Sequence, residues 1–212
     1  MIDAALLPLQ RRLLLPVAKA MAARGIRADQ VTIAGFLLGL LAVPSLALDA
    51  YGVALVFLAL NRLADGLDGA IARLGTPTDR GAFLDIALDF VFYALFPLGF
   101  ALADPEANAL PAAILIAAFV GTGSSFLAFA SIAAKRGTVS PAYPKKGIYY
   151  LGGLTEGFET IALFVLMCVV PQAFPTLAYL FAAACALTTV MRWRMGWVIF
   201  GSGAGSEPHK NV

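Results

Sequence analysis

Apolar runs of about 18–25 residues recur along the chain, each bounded by a turn signal or by charge, and a helix of that length matches the thickness of a bilayer. They predict helices near 31–48, 53–73, 82–103, 108–133, 154–170 and 174–195. The fold expected from this pattern is an all-α integral membrane protein with six transmembrane helices. Residues 6–24 read differently: Leu6, Leu7, Leu9, Leu13, Leu14, Val17 and Met21 alternate with Arg11, Arg12, Lys19 and Arg24, as expected of an amphipathic helix lying in the headgroup region, with Pro16 as a point where it would kink. The expected organisation is an interfacial helix and lead-in over residues 1–30, a transmembrane domain over 31–198 and a disordered cytosolic tail over 199–212.

The placement of charge orients these spans. The connections Asp49 to Gly52, Asp104 to Glu106 and Pro171 to Ala173 carry no Lys or Arg, which puts them outside. Of the 15 basic residues, all but Arg62 fall on the opposite side: before the first span, at Arg73 and Arg80, at Lys135, Arg136, Lys145 and Lys146, and at Arg192, Arg194 and Lys210. The positive-inside rule makes that side cytosolic, with both termini in the cytosol of a cell whose inner membrane holds the protein. A cleavable signal peptide is not expected, because Asp3, Arg11 and Arg12 interrupt what would have to be its hydrophobic region.

Composition agrees with this class. The chain has 212 residues, of which 60% are hydrophobic and 13% charged, and a mean hydropathy of +0.84, outside the range of ordinary soluble domains. The net charge of +2 gives no reason to expect a nucleic-acid partner. Cys168 and Cys185 sit in apolar runs as small hydrophobic filler, and His209 is expected to be solvated.

Four acids break the apolar pattern. Asp65, Asp68, Asp85 and Asp89 lie within segments otherwise apolar enough to span a bilayer. An ionised Asp near a bilayer centre costs roughly 2.5–3.5 kcal/mol, so four of them strongly oppose insertion unless something compensates. Spacings of i, i+3 and i, i+4 put each pair on one helix face, so two facing helices could present four carboxylates to one point. Hard oxygens without His or Cys suit Mg²⁺ or Mn²⁺ and disfavour zinc. Intramembrane acids also mark ion pathways, which leaves a divalent metal-ion transporter as the competing class. Against it, the residues beyond Asp89 run Phe-Val-Phe-Tyr-Ala-Leu-Phe, with no polar continuation.

The run Asp65-Gly-Leu-Asp68-Gly69-Ala-Ile-Ala72-Arg73, then seven residues, then Gly81-Ala-Phe-Leu-Asp85-Ile-Ala-Leu-Asp89 closely resembles the signature of the CDP-alcohol phosphotransferase (phosphatidyltransferase) family. That pattern is D-x-x-D-G-x-x-A-R, a short spacer, then G-x-x-x-D-x-x-x-D, and every fixed position is filled. The spacer is one residue shorter than is common and falls in a turn around Gly75, Thr76, Pro77 and Thr78. The resemblance implies an enzyme that moves a phosphatidyl group from CDP-diacylglycerol to a small alcohol and releases CMP, acting as a homodimer in the bilayer. It further implies two Mg²⁺ or Mn²⁺ ions on Asp65, Asp68, Asp85 and Asp89, with Asp89 also the general base. Gly69, Ala72, Arg73 and Gly81 would face the CDP diphosphate, although small residues are also the ordinary means of packing membrane helices. Thr32 has a weaker claim on the nucleotide; alternatively it lies at a helix start capped by Asp29. Gly35 and Gly39 are expected to pack helices. The Gly69, Ala72 and Arg73 pattern has no explanation in a transporter.

The acceptor is the least legible part. Glu156 and Glu159, one turn apart at the start of the fifth span, could bind an acceptor's hydroxyls or amine, or could pair with Arg192 or Arg194. In the family, members with a phosphorylated inositol acceptor tend to carry an arginine there, so Thr155 and Glu156 speak against that substrate. Lys135, Arg136, Lys145 and Lys146 could attract an anionic acceptor such as glycerol 3-phosphate, or simply touch anionic lipid.

Overall fold

The computed structural model describes residues 2–137 and 154–201. Among these every regular element is helical: α1 (Ile2–Ala23), α2 (Ala28–Leu40), α3 (Ala42–Ala47), α4 (Tyr51–Leu74), α5 (Asp79–Ala103), α6 (Pro105–Lys135), α7 (Gly157–Val169), a single 3₁₀ turn (Pro171–Ala173) and α8 (Phe174–Gly201). Lys145, Lys146, His209 and Lys210 lie outside the described residues.

Among the described residues, four stretches are long and apolar enough to cross a membrane: α2 with α3, α5, α6, and the 3₁₀ turn with α8. The remaining two expected spans, at α4 and α7, are not among them. Helix α4 has 24 residues but carries Arg62 at its middle and Asp65, Asp68 and Arg73 in its second half, and α7 has only 13 residues. The first expected span is two helices with a break at Leu41, because Pro44 has no N–H to give the carbonyl of Leu40 and its ring crowds that carbonyl. Helix α1 runs through Pro16 without interruption.

Two boundaries differ from expectation for local reasons. Asp29 is not the cap of α2: the cap lies two residues earlier, at Arg27, whose N–H donates to Gln30 Oε1 at 2.9 Å. The carboxylate of Asp29 is instead engaged by Arg80, whose Nε lies 2.8 Å from Oδ2. Likewise, α8 continues to Gly201 rather than giving way to a tail at residue 199. Phe200 packs against Phe129, with ring centroids 4.6 Å apart, and Arg136 Nη2 donates to the Phe200 carbonyl at 2.7 Å, satisfying one of the acceptors that a helix end leaves open.

The core is an aromatic column on the inner face of α5. Phe92, Phe96 and Phe100, one turn apart, are fully buried with Phe164 of α7 and Phe174 of α8. Phe96 stacks on Phe164 at 4.2 Å and Phe100 on Phe174 at 4.4 Å. Cys168 and Cys185 belong to this core. The outward surface is apolar too, with Leu110, Val120, Leu180 and Trp197 all more than 60% exposed, as suits helices surrounded by lipid.

Helices α2 and α4 approach closely because α2 offers Gly35 and Gly39 to α4. A Cβ at Gly39 would stand 2.8 Å from Asn61 Nδ2 and 3.0 Å from the Phe92 ring, and one at Gly35 would collide with Ala64. This is the small-residue packing of membrane helices. It seats Asn61 and Arg62 of α4 directly behind the acidic cluster.

Candidate active site

The Gly75–Thr78 turn brings α5 to face α4 across a cleft, so side chains from the second half of α4 reach those on the first turns of α5. Thr78 fixes the start of α5 by accepting a hydrogen bond from the Gly81 N–H at 3.1 Å. This juxtaposition gathers Asp65, Asp68 and Asp85, each of which offers a carboxylate oxygen within 4.8 Å of the other two. Three hard oxygens at that separation fit one Mg²⁺- or Mn²⁺-like ion. Asp68 is buried, Asp65 half-buried and Asp85 exposed. Thr32 of α2 completes the arrangement: its hydroxyl donates to Asp68 Oδ2 at 2.6 Å, which orients that carboxylate.

Asp89 stands apart from this cluster. It faces Arg62, whose Nη2 is 2.7 Å from Asp89 Oδ1 and whose Nη1 is 3.7 Å from Asp65 Oδ2. Arg62 was not among the residues expected at the site, yet it contacts two of the four acids. Two sequence signals pointed to it: it is the one basic residue well inside a span rather than near its cytosolic end, and it precedes Asp65 by three positions on the same helix face.

Two cavities meet at the cluster. A small acidic cleft is lined by Asn61, Arg62 and all four aspartates. A larger cavity of about 570 Å³ is lined by Gly69, Ala72, Arg80 and Gly81, among others. Thr32, Asp68 and Asp85 line both, so they form the wall between Asp89 and the larger space. Of the expected nucleotide-facing residues, Thr32, Gly69, Ala72 and Gly81 line the larger cavity. Arg73 is exposed at the end of α4, beside Gly69, where a Cβ would lie 3.1 Å from Arg73 Nη1. The absent side chain of Gly69 therefore leaves room for that guanidinium. A Cβ at Gly81 would press on Asp29 Oδ1 and Thr78 Oγ1, each at 3.2 Å, so this glycine also keeps the start of α5 close to α2.

The expected acceptor residues divide. Glu156 and Arg192 line a separate cavity of about 160 Å³ with Thr155, Thr160 and Tyr93. Arg192 Nη1 donates to the Thr122 carbonyl at 3.0 Å and its guanidinium lies 5.7 Å from the Phe126 ring. Glu159 serves α7 locally, accepting a hydrogen bond from the Glu156 N–H at 3.1 Å. Lys135, exposed at the end of α6, lines none of these cavities.

The profile of the CDP-alcohol phosphatidyltransferase family matches residues 26–199. Over 202 residues, 95% of this chain and 98% of the relative, the sequence is 52% identical to the inner membrane protein YnjF of Escherichia coli strain K12. Over 96 residues, 45% of this chain and 48% of the relative, it is 38% identical to the archaetidylinositol phosphate synthase of Pyrococcus horikoshii. The fold is similar to that of phosphatidylinositol phosphate synthase from Mycobacterium tuberculosis, solved with CDP-DAG bound. The TM-score is 0.72 over 95% of this chain and 100% of that chain, at 20% identity.

Proposed function

The chain belongs to the CDP-alcohol phosphatidyltransferase family and is a multi-pass membrane protein, and from that premise we propose that it moves the phosphatidyl group of CDP-diacylglycerol to a small alcohol at the cytosolic membrane face, releasing CMP. The observation that carries this reading is the wall of Thr32, Asp68 and Asp85 between two spaces, one large enough for a nucleotide and the other holding Asp89.

In this reading Asp65, Asp68 and Asp85 hold Mg²⁺ or Mn²⁺, and a divalent ion there neutralises charge on the phosphate oxygens and aligns the reacting groups. A second ion belongs to the complex with substrate, because the diphosphate brings oxygen ligands that the three carboxylates do not supply. Gly69, Ala72 and Gly81 let the nucleotide approach the helix backbone, and Arg73 and Arg80 stand near its phosphates as planar donors. Asp89 takes the proton of the acceptor hydroxyl. The freed oxygen attacks the phosphorus that carries diacylglycerol, the bond from that phosphorus to the bridging oxygen breaks, and CMP leaves with the bridging oxygen. The acceptor approaches from the Asp89 side, opposite the nucleotide. Six spans with both termini in the cytosol place the cluster at the depth of a lipid diphosphate, and a homodimer completes the proposal.

The test is CMP release by the purified protein with CDP-diacylglycerol, Mg²⁺ or Mn²⁺ and a panel of neutral, amine-bearing and phosphorylated alcohols. Release that depends on one alcohol supports the reading and names the acceptor; metal flux across proteoliposomes without CMP release would replace it with transport. The aromatic column of Phe92, Phe96 and Phe100 already weighs against an ion path leading onward from Asp89.

A further inference from the structure

We infer that Arg62 is a positioning residue that keeps Asp89 out of the metal-ligand set, so that the substrate-free protein binds one divalent ion and presents Asp89 as a separate carboxylate. This rests on the proposal that Asp65, Asp68 and Asp85 are the ligands.

The guanidinium is built into its place from three sides. Its Nε and Nη2 donate to Asn61 Oδ1 at 2.8 and 2.6 Å, and Asn61 Nδ2 in turn donates to the Gly35 carbonyl of α2 at 3.0 Å. The Phe92 and Tyr93 rings flank it, each centroid 5.6 Å from Cζ. The side chain is only 19% exposed, and its remaining donor edge faces Asp89 and Asp65. A planar fork can be anchored at one edge and present the other to two carboxylates, whereas an ammonium would keep the charge near Asp89 without that anchoring.

The consequence concerns charge. An ion that recruited Asp89 would either break its 2.7 Å pair through Oδ1 or bind through the other oxygen, and in both cases it would stand beside a mostly buried cation of like charge. Because Asn61 is tied to the backbone of a neighbouring helix, the guanidinium has little freedom to withdraw. The protein thus supplies its own cation for the fourth acid and leaves three for a metal. Arg62 acts through Asp89, by fixing where the carboxylate points and what it pairs with.

Equilibrium dialysis of the full chain with Mn²⁺ in nanodiscs, without nucleotide, tests this, with electron paramagnetic resonance distinguishing single from paired ions. The expected result is one Mn²⁺ per chain with an uncoupled spectrum. Asp89→Asn should keep that stoichiometry with affinity reduced by less than about 10-fold, the lower end for a group outside the coordination sphere. Arg62→Met should admit a second ion and give a coupled pair, whereas Arg62→Lys, which retains the positive charge near Asp89, should remain at one. A wild-type stoichiometry of two, or a larger affinity loss in Asp89→Asn, overturns the inference even if Arg62→Met does not fold. Retained binding in Asp85→Asn, or no binding in the wild type, instead overturns the ligand assignment on which it rests.

Discussion

Asp85 and Asp89 lie one turn apart on α5, and their neighbours give them different chemistry. Asp85 shares a 4.8 Å cluster with Asp65 and Asp68, whereas Asp89 is held by Arg62. Each of Asp65→Asn, Asp68→Asn and Asp85→Asn is expected to abolish CMP release, because a hard-cation site loses charge and alignment together. Full turnover of any of them in excess chelator would remove the metal from the account. Asp89→Asn is expected to lower turnover by at least about 10²-fold, the lower range for loss of a general base, while binding of CDP-diacylglycerol falls much less. Restoration of that variant's rate by raised Mg²⁺ or Mn²⁺ would make Asp89 a ligand rather than a base. The aspartates were legible in the sequence because a carboxylate in an apolar run needs compensation and their spacing sets a helix face. Arg62 was legible as a charge inside a span and three positions from Asp65, but its pairing with Asp89 was not, because that contact lies 27 positions away on the next helix, which periodicity does not encode.

At the scale of elements, the site depends on how closely α2 approaches α4. Gly39→Leu is expected to cost about 1–3 kcal/mol through overpacking against Asn61 and Phe92. Because Asn61 anchors Arg62, turnover should fall as well. A thermal melt in detergent beside a CMP assay checks this, and an unchanged melting temperature would mean that the helices separate without cost. Hydropathy located the helices to within a few residues, since lipid exposure and core burial both demand apolar side chains. It did not reveal the break at Leu41, which follows from Pro44, or the last turn of α8, which is held by Arg136 and Phe129 from another helix. Gly69 and Gly81 were legible from the family pattern, but the cavity they line required the turn between α4 and α5 to be seen.

For the whole molecule, the account requires a lipid substrate to meet the acids from the cytosolic side. Single cysteines at Ala50 and Thr76, introduced into a chain lacking Cys168 and Cys185, should react with an impermeant thiol reagent from opposite faces of the membrane, with position 76 accessible only from the cytosol. Labelling of both from one face would dismantle the topology and with it the proposed depth of the site. Both the family to which the chain belongs and the cleft between α4 and α5 point to transfer of the phosphorus that carries the lipid. The most direct measurement uses CDP-diacylglycerol labelled with ³²P in the phosphate attached to diacylglycerol, incubated with the purified protein, Mn²⁺ and the acceptor panel. The account predicts that the label moves into a new organic-soluble phospholipid while unlabelled CMP appears in equal amount. Label recovered in a water-soluble nucleotide or as free phosphate would contradict it.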